Sequence, residues 1–213
     1  MISTYVPTIS MSDISASAVA SLRSRTGVSI LECKNALEEA NGDEEKAIEI
    51  LRSKGAAQAV KKAEREQTEG YIFAAGGGGK VALLVLHCET DFVSRGDQFQ
   101  ALGQELADLA LAEGKSAVEG ATEKITEAVQ QLGENISLGD IYVIEGATIG
   151  SYVHTNGKIG TVIALDGGNE ELARDVAMHA AAMNPLYTTP DEVPADVVEK
   201  EKELWKEQLA SEG

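Results

Sequence analysis

Val81 to Leu86 is the stretch that most constrains this fold: six consecutive apolar residues followed at once by His87, Cys88, Glu89, Thr90, Asp91, Phe92 and Val93. So short an apolar run reads as a buried strand, and Gly96 and Asp97 ahead of a periodic apolar segment predict the start of a helix. An acid and a phenylalanine therefore fall on the connection between strand and helix. Such connections lie at the surface and often carry function, so Phe92 is either folded back into the core or offered to a partner. General composition favours the core, since aromatics are mostly core material. Upstream, Gly70 to Ala75 and Lys80 to Cys88 flank the four glycines Gly76 to Gly79, which predicts a β-hairpin. Those glycines and Lys80 also resemble a phosphate loop, but Ala74 stands where its first glycine belongs and Val81 where it needs Ser or Thr.

The chain before the hairpin is helical in pattern. Ala18, Val19 and Leu22 share one helix face, with Ser15 as N-cap and Gly27 past the end. Ser29 and Glu32 form a capping box for a second helix with the apolar face Cys33, Ala36, Leu37 and Ala40, stopping at Asn41 and Gly42. Asp43 caps a third, with Ala47, Ile48 and Leu51 on its face and Gly55 closing it. This predicts a compact three-helix bundle, too small for a cleft and suited to presenting a surface. Ile30 and Leu31 sit at the start of its second helix, beside Arg23, Arg25 and Thr26; packing beneath the first helix is slightly favoured over an interface role.

Beyond the bundle, Ala56 to Gln67 reads as an exposed linker helix. Phe99, Leu102, Leu106 and Leu109 define the helix after Asp97; Ser116, with Glu119 three residues on, is expected to start another running towards Leu132. Ile141 to Ile144 read as a strand. An internal repeat follows: Gly70, Tyr71 and Ile72 correspond to Ser151, Tyr152 and Val153, and Gly79, Lys80 and Val81 to Gly157, Lys158 and Ile159. Each hairpin precedes a helix, the second from about Asn169 to Met183 before Pro185. Where the first copy has Glu89 to Val93, the second has only Asp166, Gly167, Gly168 and Asn169, so the scaffold does not require the acid and the phenylalanine. That shifts the reading of Phe92 towards a partner. The last segment, with Val197, Val198, Leu204, Trp205 and Leu209, reads as a charged helix whose sparse apolar stripe needs a covering surface. The expected organisation is α+β: a flexible tail (1–11), a three-helix domain (12–55), a linker helix (56–69), two core subdomains of hairpin plus helix (70–136 and 137–190) and a C-terminal helix (191–213), with Met11 a plausible true start.

Charge and chemistry narrow the function. A formal net charge of −17 repels phosphate backbones and anionic membranes, and the one basic cluster, Lys61, Lys62 and Arg65, is interleaved with Glu64 and Glu66. Direct nucleic-acid binding and membrane insertion are not expected. Two cysteines make no disulfide framework, and Cys33 lies on an apolar helix face. His87, Cys88, Glu89 and Asp91 look like metal ligands, yet neighbours on a strand point to opposite faces, so no metal is expected there. His154 reads as solvent-facing. His179, on an otherwise apolar helix, reads first as a satisfied core histidine and second as a contact residue. No nucleophile with a nearby base points to an enzyme.

Arg23 to Gly27, Glu32 to Leu37, Asn41 to Asp43, Cys88 to Val93 and Ala177 to Ala180 together, in this order, resemble the translation elongation factor Ts family. The resemblance implies a ubiquitin-associated-like N-terminal domain, a core of two related halves and one partner, the GTPase elongation factor Tu. It implies a guanine-nucleotide exchange factor that takes no cofactor and binds no nucleotide, working in the cytoplasm or in an organelle's stroma or matrix. By position, displacement of the partner's magnesium falls to Asp91 and insertion between its helices to Phe92, with Thr90 and Val93 shaping the turn. Arg23, Ile30 and Leu31 are implied as N-terminal contacts, the last two standing where the family often has methionines. Family members usually continue past the segment matching Val197 to Gly213, so a shortened, processed or truncated chain is expected. The competing class is a ubiquitin-associated-type adaptor without exchange activity.

Overall fold

The computed structural model describes residues 14–212; the expected tail, residues 1–11, lies outside them. Helices α1 (Ala16–Thr26), α2 (Ile30–Glu39) and α3 (Glu44–Lys62) form the N-terminal bundle. Their ends are fixed as the sequence predicts: Ser15 Oγ accepts from the Ala18 amide at 3.1 Å, Ser29 Oγ from Glu32 at 3.3 Å and Asp43 Oδ1 from Lys46 at 3.1 Å. Each bond satisfies an otherwise orphaned donor of a first turn. Leu22, Cys33, Ala36, Leu37, Ala47 and Leu51 close the core between the helices.

Helix α3 does not close at Gly55. It runs on to Lys62, so the separate linker helix over 56–69 is replaced by the end of α3 and a short stretch leading to the first strand. Gly55 is buried under Gln130, whose Oε1 would lie 2.5 Å from any added Cβ. The glycine is there for close approach, at a helix-propensity cost of about 1 kcal/mol. Lys62 extends the contact by donating to the Val129 carbonyl at 3.2 Å.

Strands β1 (Glu69–Gly77) and β2 (Lys80–Cys88) pair antiparallel, with Gly77 opposite Lys80. Gly78 and Gly79 take φ of 61° and 75°, the left-handed pair that a tight two-residue hairpin turn demands. After β2 come a one-turn helix, α4 (Asp91–Ser94), and the long α5 (Asp97–Glu113), followed by α6 (Lys115–Gly120), α7 (Thr122–Leu132) and β3 (Ser137–Glu145). Ser116 lies inside α6 rather than capping a long helix, because the chain breaks at Ala121, where ψ is 37°. Strand β3 pairs with the free edge of β2, giving the sheet order β1-β2-β3. Residues 137–145 therefore belong to the first sheet and not to a second subdomain beginning at 137. This central position is what the run Val81 to Leu86 encodes, as β2 alone is flanked on both sides. Phe99, Leu106, Ala107 and Ala110 of α5 pack on Phe73, Ala82, Leu84 and Leu86. Gly103 allows this, since a Cβ there would meet the Phe73 ring at 2.1 Å.

The second unit is smaller. Strands β4 (Thr148–Val153) and β5 (Gly160–Leu165) form a two-stranded hairpin crossed by α8 (Glu170–Met183). Asn169 caps α8 by accepting from Leu172 at 2.8 Å. The two units meet where Ile72 donates its amide to the Gly157 carbonyl at 2.8 Å. A short 3-10 turn, Pro190–Glu192, leads to α9 (Ala195–Glu212), in which none of the described side chains is buried. Among the described residues no helix is long and apolar enough to cross a membrane.

Candidate functional site

At the end of β2 the chain leaves the sheet at Thr90, in extended conformation, and turns once through α4. Thr90 Oγ1 accepts from the Val93 amide at 3.4 Å, and Ser94 Oγ, buried beneath, donates to the Asp91 carbonyl at 3.1 Å. On the far side Gln100 Nε2 donates to the Ser94 carbonyl at 2.6 Å. Val93 turns inward against the main core. Phe92, one position earlier on so tight a turn, is thrown outward and is 85% exposed. The preference of aromatics for the core is thus overridden by local geometry: a single anchored turn cannot bury both neighbours on one side. Asp91 is half exposed, with its carboxylate 3.3 Å from Arg95.

A second acid holds this turn from below. Glu134 Oε2 accepts the amides of both Glu89 and Thr90 at 3.0 Å, and Glu134 Oε1 accepts the Thr90 hydroxyl at 2.5 Å. In return Glu89 Oε1 accepts the Asn135 amide at 2.6 Å and pairs with Arg65 at 3.4 Å. Asn135 Nδ2 reaches the carbonyls of Arg65 at 2.9 Å and Ala63 at 3.4 Å, tying the turn to the end of α3. Neither Glu134 nor Asn135 stands out in the sequence; the one local signal is Gly133, whose left-handed φ of 78° ends α7 and turns the following residues back towards β2.

Burial pushes the Cys88 thiol up to about 11, with the Glu134 carboxylate adding to the effect. The thiol donates to the Thr90 carbonyl at 3.3 Å, so it is a packed donor beneath the turn and a poor nucleophile. His87 sits over Gly139, while Cys88 belongs to the core.

The other candidates lie on separate surfaces. Ile30 and Leu31 are 58% and 66% exposed, so they do not pack beneath α1; Ile30 instead lines a groove with Val19, Ala20, Arg23 and Lys34. His179 is exposed, not a core histidine. It lies at helical spacing with exposed Leu172, Val176 and Met183 on a stripe of α8 about 100° round the helix from buried Ala173 and Ala177.

The turn thus lifts one aromatic into solvent, and further apolar side chains are exposed on the bundle and on the second unit. Residues 89–213 match the family model described as elongation factor TS. Curated relatives called elongation factor Ts include those of Marinobacter nauticus, 46% identical over 95% of this chain and 73% of the relative, and Hydrogenobaculum sp., 42% identical over 94% and 78%. That of Francisella tularensis subsp. novicida is 44% identical over 95% of this chain and 74% of its own length. The chain belongs to the elongation factor Ts family, the nucleotide exchange factors for elongation factor Tu, and it is an exchange factor, not an enzyme.

Proposed function

We propose that this chain binds the GDP form of elongation factor Tu and speeds GDP release by seating Phe92 between helices of the GTPase, with Asp91 weakening the hold on the nucleotide's magnesium ion. The observation that carries this reading is Phe92 itself, 85% exposed on a turn anchored at both ends. An aromatic held in water gains about 1.5–3 kcal/mol when a partner buries it, and its rigid mounting lowers the ordering cost. The ion pair of Asp91 with Arg95 is exposed and worth about 0.3–0.5 kcal/mol, so it does not keep the carboxylate from a new electrostatic partner. Thr90 caps the turn and Val93 roots it.

Exchange requires reciprocal antagonism: the factor by which this protein weakens GDP binding is the factor by which GDP weakens its own. A 10⁴-fold effect needs about 5.5 kcal/mol of differential binding. Phe92 and Asp91 supply part of it. The exposed patch of Arg23, Ile30 and Leu31, and the outer face of α8 with His179, supply attachment that offsets the entropy of association. The test is stopped-flow release of a fluorescent GDP from elongation factor Tu. Phe92→Ala is expected to retain its circular dichroism spectrum and to slow release by more than tenfold; a folded variant releasing GDP at the wild-type rate overturns the reading.

A further inference from the structure

We propose that Glu134 is the positioning residue of the exchange turn: it orients Phe92 without touching the partner. This rests on the reading of Phe92 given above.

The sheet cannot do that work. The last pairs of β2 are Cys88 with Glu69 and His87 with Ser137, so the Glu89 and Thr90 amides have no ladder partner. Both amides converge on a single oxygen, Glu134 Oε2, whose two lone pairs accept them at 3.0 Å each. Its other oxygen takes the Thr90 hydroxyl proton at 2.5 Å. That third bond fixes the hydroxyl's rotation, directing an oxygen lone pair to the Val93 amide. Carboxylate, hydroxyl and amide thus form a chain whose last member is in the same turn as Phe92. Bonds with an ionised partner are about twice as strong as neutral ones. The return bond from the Asn135 amide to Glu89 Oε1 at 2.6 Å closes the clasp, and the Asn135 side chain, bonded to the carbonyls of Arg65 and Ala63, links it to the end of α3. Sheet end, turn and bundle are fixed together by two acids, Glu134 and Glu89, and by Asn135.

A purely structural Glu134 and a positioning Glu134 differ in one measurable respect. If it acts through Phe92, its loss matters only while Phe92 is present. The experiment is a double-mutant cycle of Glu134→Ala and Phe92→Ala in the full chain, read by stopped-flow release of fluorescent GDP from elongation factor Tu, with circular dichroism as fold control. Glu134→Ala is expected to slow release on the order of tenfold in the wild-type background and less than about twofold in the Phe92→Ala background. Glu134→Gln, whose carbonyl oxygen still accepts both amides but whose NH₂ cannot accept the Thr90 hydroxyl proton, is expected to release GDP at a rate between those of wild type and Glu134→Ala. A folded Glu134→Ala at the wild-type rate, or equal slowing in both backgrounds, overturns the proposal. Should Glu134→Ala unfold, Glu134→Asp, too short to keep all three bonds, takes its place in the cycle with the same outcomes. Phe92→Ala at the wild-type rate overturns the underlying reading and this proposal together; a slow Phe92→Ala beside a fast Glu134→Ala overturns this proposal alone.

Discussion

The two hairpin-plus-helix units solve the same packing problem and differ at one connection. In both, a helix crosses its sheet closely enough to need a glycine: Gly103 on the helix of the first unit, under the Phe73 ring, and Gly150 on a strand of the second, 2.5 Å from the Arg174 amide for an added Cβ. In the second unit β5 passes to α8 through Asp166 to Asn169, and the last of these is already the cap. The first unit inserts α4 between strand and helix. The second unit has no counterpart of that turn, which Val93 roots in the first unit's core and the α7–β3 connection holds through Glu134. The element that the two units share is thus separable from the one that only the first carries.

The largest expected effects fall on what the units share. Gly150→Ala drives a methyl into helix backbone, which cannot rotate away, and is expected to cost about 3 kcal/mol; Gly103→Ala meets a phenylalanine ring and is expected to cost about 2 kcal/mol. Urea denaturation read by circular dichroism measures both. If either costs under 0.5 kcal/mol, the two helices do not seat on their sheets as described.

Next comes a group that only the first unit has. Cys88 lies under the turn with its thiol raised to about 11 from an ordinary 9.0, chiefly by burial. The unfolded chain therefore loses this proton first as pH rises, so the folded state binds more protons between about pH 9 and 11 and stability falls across that window. Well below pH 9 the thiol is neutral in both states and contributes no slope. Cys88→Ala is expected to flatten the decline in denaturation midpoint between pH 9 and 11 relative to wild type. Equal slopes would show the thiol to be better solvated than its burial implies.

How much of this was legible in the sequence follows the range of the forces involved. The caps at Ser15, Ser29 and Asp43 are satisfied by atoms three residues away, and each is readable in the sequence. So is the glycine turn, and so is the missing counterpart of Thr90 to Val93 in the second unit. Gly55 is ambiguous in the sequence because a glycine that ends a helix and one that admits a neighbour look alike until Gln130 is in place. The unit to which β3 belongs is not legible because its partner residues in β2 lie 50 to 65 positions earlier. The exposure of His179 is not legible because the apolar residues around it belong to two faces, one buried and one bare. Glu134 was invisible for the same physical reason, as its three donors lie 44 and 45 residues before it.

The outer face of α8 sharpens the comparison from the other side. If the second unit contributes attachment and the first contributes the wedge, Leu172→Ser is expected to weaken the complex about fivefold, near 1 kcal/mol, while leaving the saturating rate of GDP release unchanged. Titration calorimetry gives the first quantity and stopped flow at high concentration the second. A reduced saturating rate would place α8 in the exchange step itself and erase the division of labour between the units.

The smallest effect is expected at Arg95. Its ion pair with Asp91 spans one turn, at 3.3 Å, with both side chains largely in water. Such pairs contribute about 0.3–0.5 kcal/mol, and less as salt rises. Meanwhile α4 is already fixed by Thr90, Ser94 and Gln100 through bonds that do not involve Arg95. Arg95→Ala is therefore expected to change GDP release by less than twofold, and in the faster direction if Asp91 must leave Arg95 before it can act on the partner. A tenfold slowing would mean that the guanidinium, not the Glu134 clasp, sets the pose of the turn, and the distinction between a turn held from beneath and one held across its own surface would have to be reversed.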